Sequence, residues 1–363
     1  MKIHIIQPSV PKYRVAFFQK ISRFYDVNII AAKKDFLGVT SNLEIKNVSY
    51  LSEFFSYWDK FFWLKGLPLI KGYSKDDVVI INGNPRILNF MLLFIFLKLR
   101  SVKTVWWGHG WSAGSRGILS RIRIKMMRLA DAVLLYTDYE KERIGINNCY
   151  ALNNGLDSSE IDHVIKAANT ERSYEPPIKS LVFIGRLTEK ANFSFLLEAL
   201  AKTKCNCSLN VIGGGDKDIE FKALADELGV SHRVNWFGSV FDEAEIAKIM
   251  LNSHAFIYTG AVGLSLIHAF NYGLPAIVHD SREGHMPEFA AFIDKYNGFS
   301  FISGDIDDAA NKIDFLFSLS NDEQLKLSNN AKETVNISYN IDDMVQRFNR
   351  LISKLVCNEN TSN

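Results

Sequence analysis

Ala255–Asp280, AFIYTGAVGLSLIHAFNYGLPAIVHD, decides the fold of this chain, because it reads as strand, glycine-bearing turn, helix, short turn and strand in quick succession. The apolar run AFIYT stops at Gly260, and Leu264–Tyr272 has helical periodicity. Gly273 then ends the helix and Pro275 opens the next strand, PAIVHD. The loop Gly260–Gly263 lets backbone N–H groups approach an anion, and a helix N-terminus carries unpaired donors and partial positive charge that suit a diphosphate. Many α/β proteins place a glycine turn between strand and helix for packing alone, so the loop by itself leaves both roles open.

Outward from this stretch, strand-like and helix-like segments alternate along the chain, which argues for parallel sheets with helical crossovers. In the first half the strands are Lys2–Gln7, Val27–Ala31, Val78–Asn82, Thr104–Gly108, Ala132–Tyr136 and Tyr150–Leu152. The helices between them are Tyr13–Phe24, Ile87–Arg100, Ile118–Leu129 and Tyr139–Ile144. A polar segment, Asp157–Lys179, ends in Glu175-Pro176-Pro177 and marks a boundary. The alternation then resumes with LVFIGR, Phe193–Ala201, SLNVIGGG, Ile219–Leu228, VNWFG, Glu243–Met250, AFIYT, Leu264–Tyr272 and PAIVHD. Asp242 and Glu245 have the spacing of a capping box. The fold class is α/β with two doubly wound, Rossmann-like halves, and a ligand site is expected where strand C-terminal ends face one another. The expected division is a first domain over 1–156, a linker over 157–179, a second domain over 180–340, and a C-terminal helix free to pack back on the first domain, with a polar tail, over 341–363.

Composition narrows the function classes. At 363 residues and 47% hydrophobic content the chain exceeds the usual size of one domain. A formal charge of +2 makes no demand for nucleic acid, and no RNA- or DNA-reading signature occurs. Cys149, Cys205, Cys207 and Cys357 form neither a C-x-x-C pair nor a zinc spacing and read as reduced thiols. MKIHIIQPSV runs from strand into turn without a secretory signal, so the expectation is a cytoplasmic protein.

Two regions suggest a membrane surface. Ile87–Leu99 is shorter than the roughly 20 residues that cross a bilayer, and Asn89 and Lys98 interrupt it, so it reads as a buried or interfacial helix. Ser115–Leu129 repeats Arg and Lys among Ile, Leu and Met, which suits a packed helix with a basic edge or a helix on anionic lipid. Phe54, Phe55, Trp58, Phe61, Phe62 and Trp63, flanked by Lys60 and Lys65, fill a core, cover a groove or meet lipid. Basic residues beside aromatics favour peripheral attachment.

Several candidate site residues fall at strand ends. Arg186 follows the strand-terminal Gly185, with Lys190 just beyond, and two converging cations neutralise a diphosphate leaving group. Gly213-Gly214-Gly215 permits close approach by a ligand or simply makes a turn. Phe237-Gly238 ends another strand, where backbone can read a nucleobase edge. His109 stands between Gly108 and Gly110 at a strand end, an unusual place for a core histidine.

Together these segments resemble the retaining glycosyltransferases of the GT-B fold, specifically the family 4 group that builds bacterial polysaccharides. The resemblance rests on LVFIGRL…LLEAL, LNVIGGG, VNWFG, the opening loop and YGLPAIV in the second half, and on the Pro-x-Tyr-Arg at Pro11, WWGHG and NNGLD in the first. It implies two facing Rossmann-like domains with a cleft between them. It also implies transfer of a sugar from a nucleotide-diphosphate sugar, UDP- or GDP-linked, to an acceptor hydroxyl, with no permanently bound cofactor and no obligatory metal. On that resemblance His109, Arg186 and Lys190 are the catalytic set: the two cations hold the diphosphate and His109 meets the donor sugar. Gly214, Phe237, Gly238, the loop Gly260, Ala261, Val262, Gly263, Leu264 and Ser265, and His268 bind the donor. Pro11, Tyr13, Arg14, Asn154 and Glu288 line the acceptor side.

The donor loop departs from the family's usual E-G-F-G-L-P-L-L-E, because Gly260 and His268 stand at the two carboxylate positions. The family lysine also aligns with Ala191, one residue after Lys190. A subgroup carries a G-x-V-G-L-S-x-x-H loop of this kind. An imidazole offers one donor and one acceptor to a ribose diol, while Gly260 offers only backbone, so the sugar's polar partners would come from His285, Glu283 or Glu288. In the family's usual picture the leaving diphosphate helps take the acceptor proton, and cations and oriented amides stabilise the developing charge. No H-E-x-x-H or Walker motif is present. The expected acceptor is a lipid-linked oligosaccharide at the cytoplasmic face of the inner membrane, in O-antigen, capsule or exopolysaccharide synthesis. The alternatives are a catalytically inactive nucleotide-binding partner protein, motivated by the missing carboxylates, and a sugar-nucleotide epimerase.

Overall fold

The computed structural model describes residues 1–43, 45–110, 118–167 and 179–357. These residues divide into two compact units, Met1–Asn154 with Ile341–Asn363, and Gly155–Asn340.

Among the described residues of the first unit, seven strands form one parallel sheet: β1 (Ile3–Ile6), β2 (Val27–Ala32), β3 (Val48–Leu51), β6 (Val78–Asn82), β7 (Lys103–Trp107), β8 (Ala132–Leu135) and β9 (Cys149–Ala151). Their spatial order is β3-β2-β1-β6-β7-β8-β9, in register from Ile3 opposite both Val27 and Val78. The central strands IHII, VVII and AVLL are buried on both faces, as near-continuous apolar runs in a parallel sheet must be. Helices α1 (Val15–Ile21), α2 (Leu88–Leu99), α3 (Ile118–Met127) and α4 (Asp138–Ile144) lie along this part of the chain. The expected helix over Tyr13–Phe24 is shorter, because a 3-10 turn at Lys12–Arg14 precedes α1.

The aromatic cluster folds as a hairpin, β4 (Phe54–Tyr57) antiparallel to β5 (Phe61–Leu64). Phe62 and Leu64 are buried and the rings of Phe36, Phe54 and Phe62 pack together, tilted or edge to face, while Trp58 at the turn is 86% exposed. The cluster therefore divides between core and surface. Of the basic stretch 115–129, residues 115–117 lie outside the described residues; within α3, Arg121, Ile122 and Lys125 face solvent.

In the second unit six strands form a parallel sheet: β10 (Ser180–Ile184), β11 (Ser208–Ile212), β12 (Val234–Gly238), β13 (Ala255–Tyr258), β14 (Ala276–His279) and β15 (Gly298–Phe301), in the order β12-β11-β10-β13-β14-β15. Around it lie α5 (Ser159–Ala167), α6 (Phe193–Lys202), α7 (Asp218–Glu227), α8 (Glu243–Leu251), α9 (Leu264–Asn271), α10 (Ile306–Ser318) and α11 (Asn321–Ser338). Of the polar segment 157–179, residues 168–178 lie outside the described residues; Ser159–Ala167 is helix, buries Ile161 and packs on α8. The opening stretch folds as read, with Gly273 at φ 68° closing α9.

Helix α12 (Ile341–Cys357) belongs to the first unit, where Ile341, Met344, Val345, Phe348, Leu351 and Ile352 recur at helical spacing and are buried. Each such side chain contributes about 1.5–3 kcal/mol by burial, and Phe17 meets Phe348 edge to face at 5.7 Å. Arg347 ties the helix to Asp138 at 2.8 Å. Among the described residues no helix is long and apolar enough to cross a membrane.

Candidate active site

In each sheet the strand order reverses beside the first strand of its unit, between β1 and β6 and between β10 and β13. Open α/β sheets hold ligands at the C-terminal ends of such strand pairs. In the second unit those ends carry Gly185–Arg186 after β10 and Thr259–Gly260 after β13.

The loop after β13 is clamped on both sides. On one side Ala261 N–H donates to Lys190 O at 2.9 Å, and Thr259 Oγ1 donates to Asn192 O at 2.8 Å. A Cβ at Gly260 would stand 2.0 Å from Lys190 O and 2.5 Å from Ala191 C. Gly260 is thus the residue that lets the strand end meet the 3-10 turn Glu189–Ala191 backbone to backbone, and no side chain fits there unless the backbone moves. The contact places Lys190 beside the loop. Glu189 pairs with Lys217, whereas Arg186 and Lys190 are exposed and carry no ion pair among the described residues.

On the other side Val262 N–H donates to His285 Nδ1 at 3.3 Å, and Met286 N–H donates to Val262 O at 3.0 Å. Because Nδ1 accepts, the imidazole proton sits on Nε2, which donates to His279 O at 2.9 Å. The His285 ring lies between His279 at 3.7 Å and Phe289 at 3.9 Å. Burial, with the nearby His279 and Arg282 charges, pushes its pKa down to about 3, so it is neutral and structural. Of the polar partners expected for a donor sugar, His285 is committed to backbone and Glu283 is exposed. Glu288 is buried, with Oε2 3.6 Å from where a Cβ of Gly263 would stand. Helix α9 starts at Leu264 with no side-chain cap, leaving the N–H groups of Leu264 and Ser265 to the loop's open side.

His268, one turn further along α9, has Nε2 at 2.7 Å from Glu243 Oε1, the same oxygen that accepts from Tyr272 OH at 2.5 Å. Sequence reasoning missed Glu243: Asp242 and Glu245 were expected to form a capping box. Asp242 does accept from Ala244 N–H at 2.8 Å, but Glu245 pairs with Lys248 instead. Burial and the Glu243 charge push the Tyr272 phenol far above its ordinary range.

The glycine triplet divides its labour. A Cβ at Gly213 would lie 1.8 Å from Gly185 O and one at Gly215 2.3 Å from Leu187 O, so these two serve close approach. Gly214 faces Ser239 and Asp218, and its carbonyl accepts from Leu187 N–H. Phe237 and Gly238 end β12 at the sheet edge, two strands from β10; Phe237 is exposed and Gly238 O accepts from Gly213 N–H at 2.7 Å.

In the first unit Tyr13, Arg14, Asn154 and His109 gather around Tyr136. Arg14 Nη2 donates to Asn154 Oδ1 at 3.0 Å, and the guanidinium lies over Trp107 at 4.7 Å, Tyr136 at 5.4 Å and Tyr13 at 5.5 Å. His109 meets the Tyr136 ring edge-on at 4.5 Å. Burial and the Arg123 and Arg14 charges push its pKa down to about 4, so it is a neutral imidazole at physiological pH. Pro11 lines a cavity beside this group.

The family model described as Glycosyl transferases group 1 matches residues 169–334, the unit that holds the clamped loop. An uncharacterized glycosyltransferase of Haemophilus influenzae is 22% identical over 347 residues, 90% of this chain and 91% of its own length. The lipopolysaccharide 1,6-galactosyltransferase of Salmonella typhimurium is 26% identical over 165 residues, 42% of this chain and 45% of its own. The chain is a glycosyltransferase. Its fold is GT-B. The apo form of lipopolysaccharide outer core galactosyltransferase WaaB superposes with TM-score 0.70 at 18% identity over 98% of this chain and 99% of that one. Anabaena Alr3699/HepE in complex with UDP-glucose gives 0.65 at 14% identity, over 98% and 100%. For this glycosyltransferase the finer chemistry rests on the residues themselves.

Proposed function

We propose that this glycosyltransferase takes its sugar from a nucleotide-diphosphate sugar and passes it, with retention at the anomeric carbon, to a hydroxyl of a lipid-linked glycan in bacterial surface polysaccharide synthesis. The observation that carries the reading is the clamp on Gly260–Gly263, which holds the uncapped start of α9 beside Lys190 at the switch point that also carries Arg186. That arrangement offers two cations, unpaired among the described residues, and a helix N-terminus to one diphosphate. The HepE complex with UDP-glucose and the galactosyltransferase relatives support it.

In this reading Arg186 and Lys190 take up the charge that develops on the leaving diphosphate, and the N–H groups at the start of α9 hold the bridging oxygens. The diphosphate accepts the acceptor's proton, so no protein base is required. His268 presents Nδ1 to the ribose, since Nε2 is committed to Glu243. Glu288 supplies the carboxylate near the sugar that Gly260 cannot. His109, neutral, offers the sugar one donor and one acceptor. The residues of the first unit around Arg14 receive the acceptor.

The membrane-facing part of the proposal has a structural motive. Leu88, Leu92, Ile95, Phe96 and Leu99 form one apolar stripe on the exposed side of α2, with Leu99 77% exposed. In the same unit α3 presents Arg121 and Lys125 to solvent. Apolar stripe and basic helix together suit a peripheral site on anionic lipid.

A donor screen by mass spectrometry with a short lipid-linked acceptor tests the whole reading, because it reports nucleotide, sugar and acceptor together. Transfer that needs an acceptor and vanishes in Arg186→Ala, with folding intact, is the expected result. Conversion of the donor without acceptor would make the protein an epimerase, and nucleotide binding without turnover would make it an inactive partner.

A further inference from the structure

We propose that the cavity at the switch point of the first unit binds an oxyanion, the phosphate or carboxylate of an acidic sugar on the acceptor, with Arg14 as its anchor. The inference rests on the reading above that this unit receives the acceptor.

The cavity lies at the C-terminal ends of β1 and β6, has a volume of about 240 Å³, and is lined by Gln7, Tyr13, Arg14, Asn82, Trp107 and Tyr136 among others. Among the described residues no aspartate or glutamate lines it. Arg14 is only 7% exposed. One of its terminal nitrogens is spent on Asn154, and the other, Nη1, is buried without a partner among the described residues. Gln7 Nε2 and Trp107 Nε1, on the same lining, are also buried donors without a partner. All three of these orphan atoms are donors, so the group that completes them is an acceptor.

The charge argument points the same way. Taking a guanidinium out of water is costly unless a counter-charge and hydrogen-bond acceptors replace the solvent. The faces of Trp107, Tyr136 and Tyr13 offset part of the charge, but none of them satisfies Nη1. Two other arginines show how this chain settles structural guanidiniums. Arg233 donates to Cys207 O, Leu200 O and Thr203 Oγ1, and Arg347 is paired with Asp138 and Asp343. Arg14 has neither arrangement. Nearby, burial together with the Arg123 and Arg14 charges holds His109 neutral.

Size limits the occupant. Pockets that enclose whole drug-sized ligands run from about 300 to 1,000 Å³, so this cavity admits a terminal charged group with part of its sugar, not an oligosaccharide. A planar guanidinium presents paired N–H groups that match a carboxylate or phosphate edge, which a lysine cannot reproduce.

Isothermal titration of the full-length protein with glucose 6-phosphate, glucuronate and glucose tests the proposal, and UDP is titrated in parallel. At least one of the two acidic sugars is expected to bind tenfold or more tighter than glucose, and the stronger of them identifies phosphate or carboxylate as the group. Arg14→Gln is expected to shrink that preference below threefold while UDP affinity stays unchanged. Gln7→Glu places a carboxylate in the same lining and is expected to abolish the preference with the melting temperature kept or raised, which covers the case in which Arg14→Gln does not fold. Equal binding of all three sugars overturns the proposal, as does a preference that survives both substitutions. A loss of UDP affinity in Arg14→Gln as large as the loss for the acidic sugar also overturns it, by assigning the cavity to the donor diphosphate. A protein that binds UDP but not the acidic sugars keeps the transferase reading and loses this one, and the reverse pattern does the opposite.

Discussion

His268 Nε2 lies 2.7 Å from Glu243 Oε1, so the imidazole on α9 is itself held by a carboxylate from a different helix, α8. Glu243 accepts there, which keeps a proton on Nε2 and leaves Nδ1 without a partner among the described residues. On the proposed reading Nδ1 takes a ribose hydroxyl. His268→Ala is then expected to weaken UDP binding about tenfold, about 1.4 kcal/mol. His268→Glu is expected to do no better, because it sets two carboxylates against each other. Pairing it with Glu243→Gln relieves that repulsion, and the double variant should recover most of the affinity in titration. A His268→Glu protein that binds UDP as well as wild type would remove Glu243 from the account.

Gly260 gives a sharper expectation for the loop. The atoms that a Cβ would strike, Lys190 O and Ala191 C, are backbone, so no rotamer change relieves the clash. Gly260→Ala is expected to cost about 1–3 kcal/mol in urea unfolding, the usual range for overpacking. It should also lower donor affinity, because the shift separates Lys190 from the loop. Gly260→Glu, with a larger side chain at the same point, is expected to be worse than Gly260→Ala. Unchanged stability in both variants would contradict the close approach.

The alternation that sets the two sheets was legible in the sequence because every central strand is a buried apolar run ending in a turn residue, as at Ile184-Gly185 and Tyr258-Thr259-Gly260. The edge strand Val48–Leu51 and the hairpin at Phe54–Leu64 were not, since half-exposed strands rich in aromatics carry no signal that separates them from a lid or a loop. The same limit applies to the candidate site. Glycines and cations at strand ends announce themselves by position, but Glu243 and His285 act through contacts 25 and 23 residues away in sequence, to His268 and Val262. A glutamate in the first turn of a helix reads as a response to the helix dipole, and nothing local distinguishes one that also reaches a histidine on α9.

The apolar stripe on α2 predicts a lipid dependence. Leu92 and Leu99 sit on the exposed side, so replacing both with lysine is expected to leave the melting temperature within a few degrees of wild type. Co-sedimentation with anionic liposomes at low salt should fall several-fold, while turnover on a soluble acceptor analogue is unchanged. Equal sedimentation of the variant and wild type would place the membrane contact elsewhere or remove it.

His285 predicts how the site fails in acid. Its pKa is pushed down to about 3 from the ordinary value near 6.5, so as pH falls below about 6.5 the unfolded chain takes up a proton that the folded chain refuses. The stability it contributes is complete above that pH and declines toward 3, by at most about 1.4 kcal/mol per pH unit. His109, pushed down to about 4, acts in the same sense. His285→Phe keeps an aromatic ring between His279 and Phe289 but leaves Val262 N–H without its acceptor. It is expected to cost about 1–3 kcal/mol at pH 7.5. Because the variant no longer carries this titration, its deficit should shrink by about 2 kcal/mol on going to pH 5. Denaturant midpoints of the two proteins, measured across that range, should therefore converge in acid; parallel curves would mean that His285 is not buried in its neutral form, and that the loop is held by other contacts.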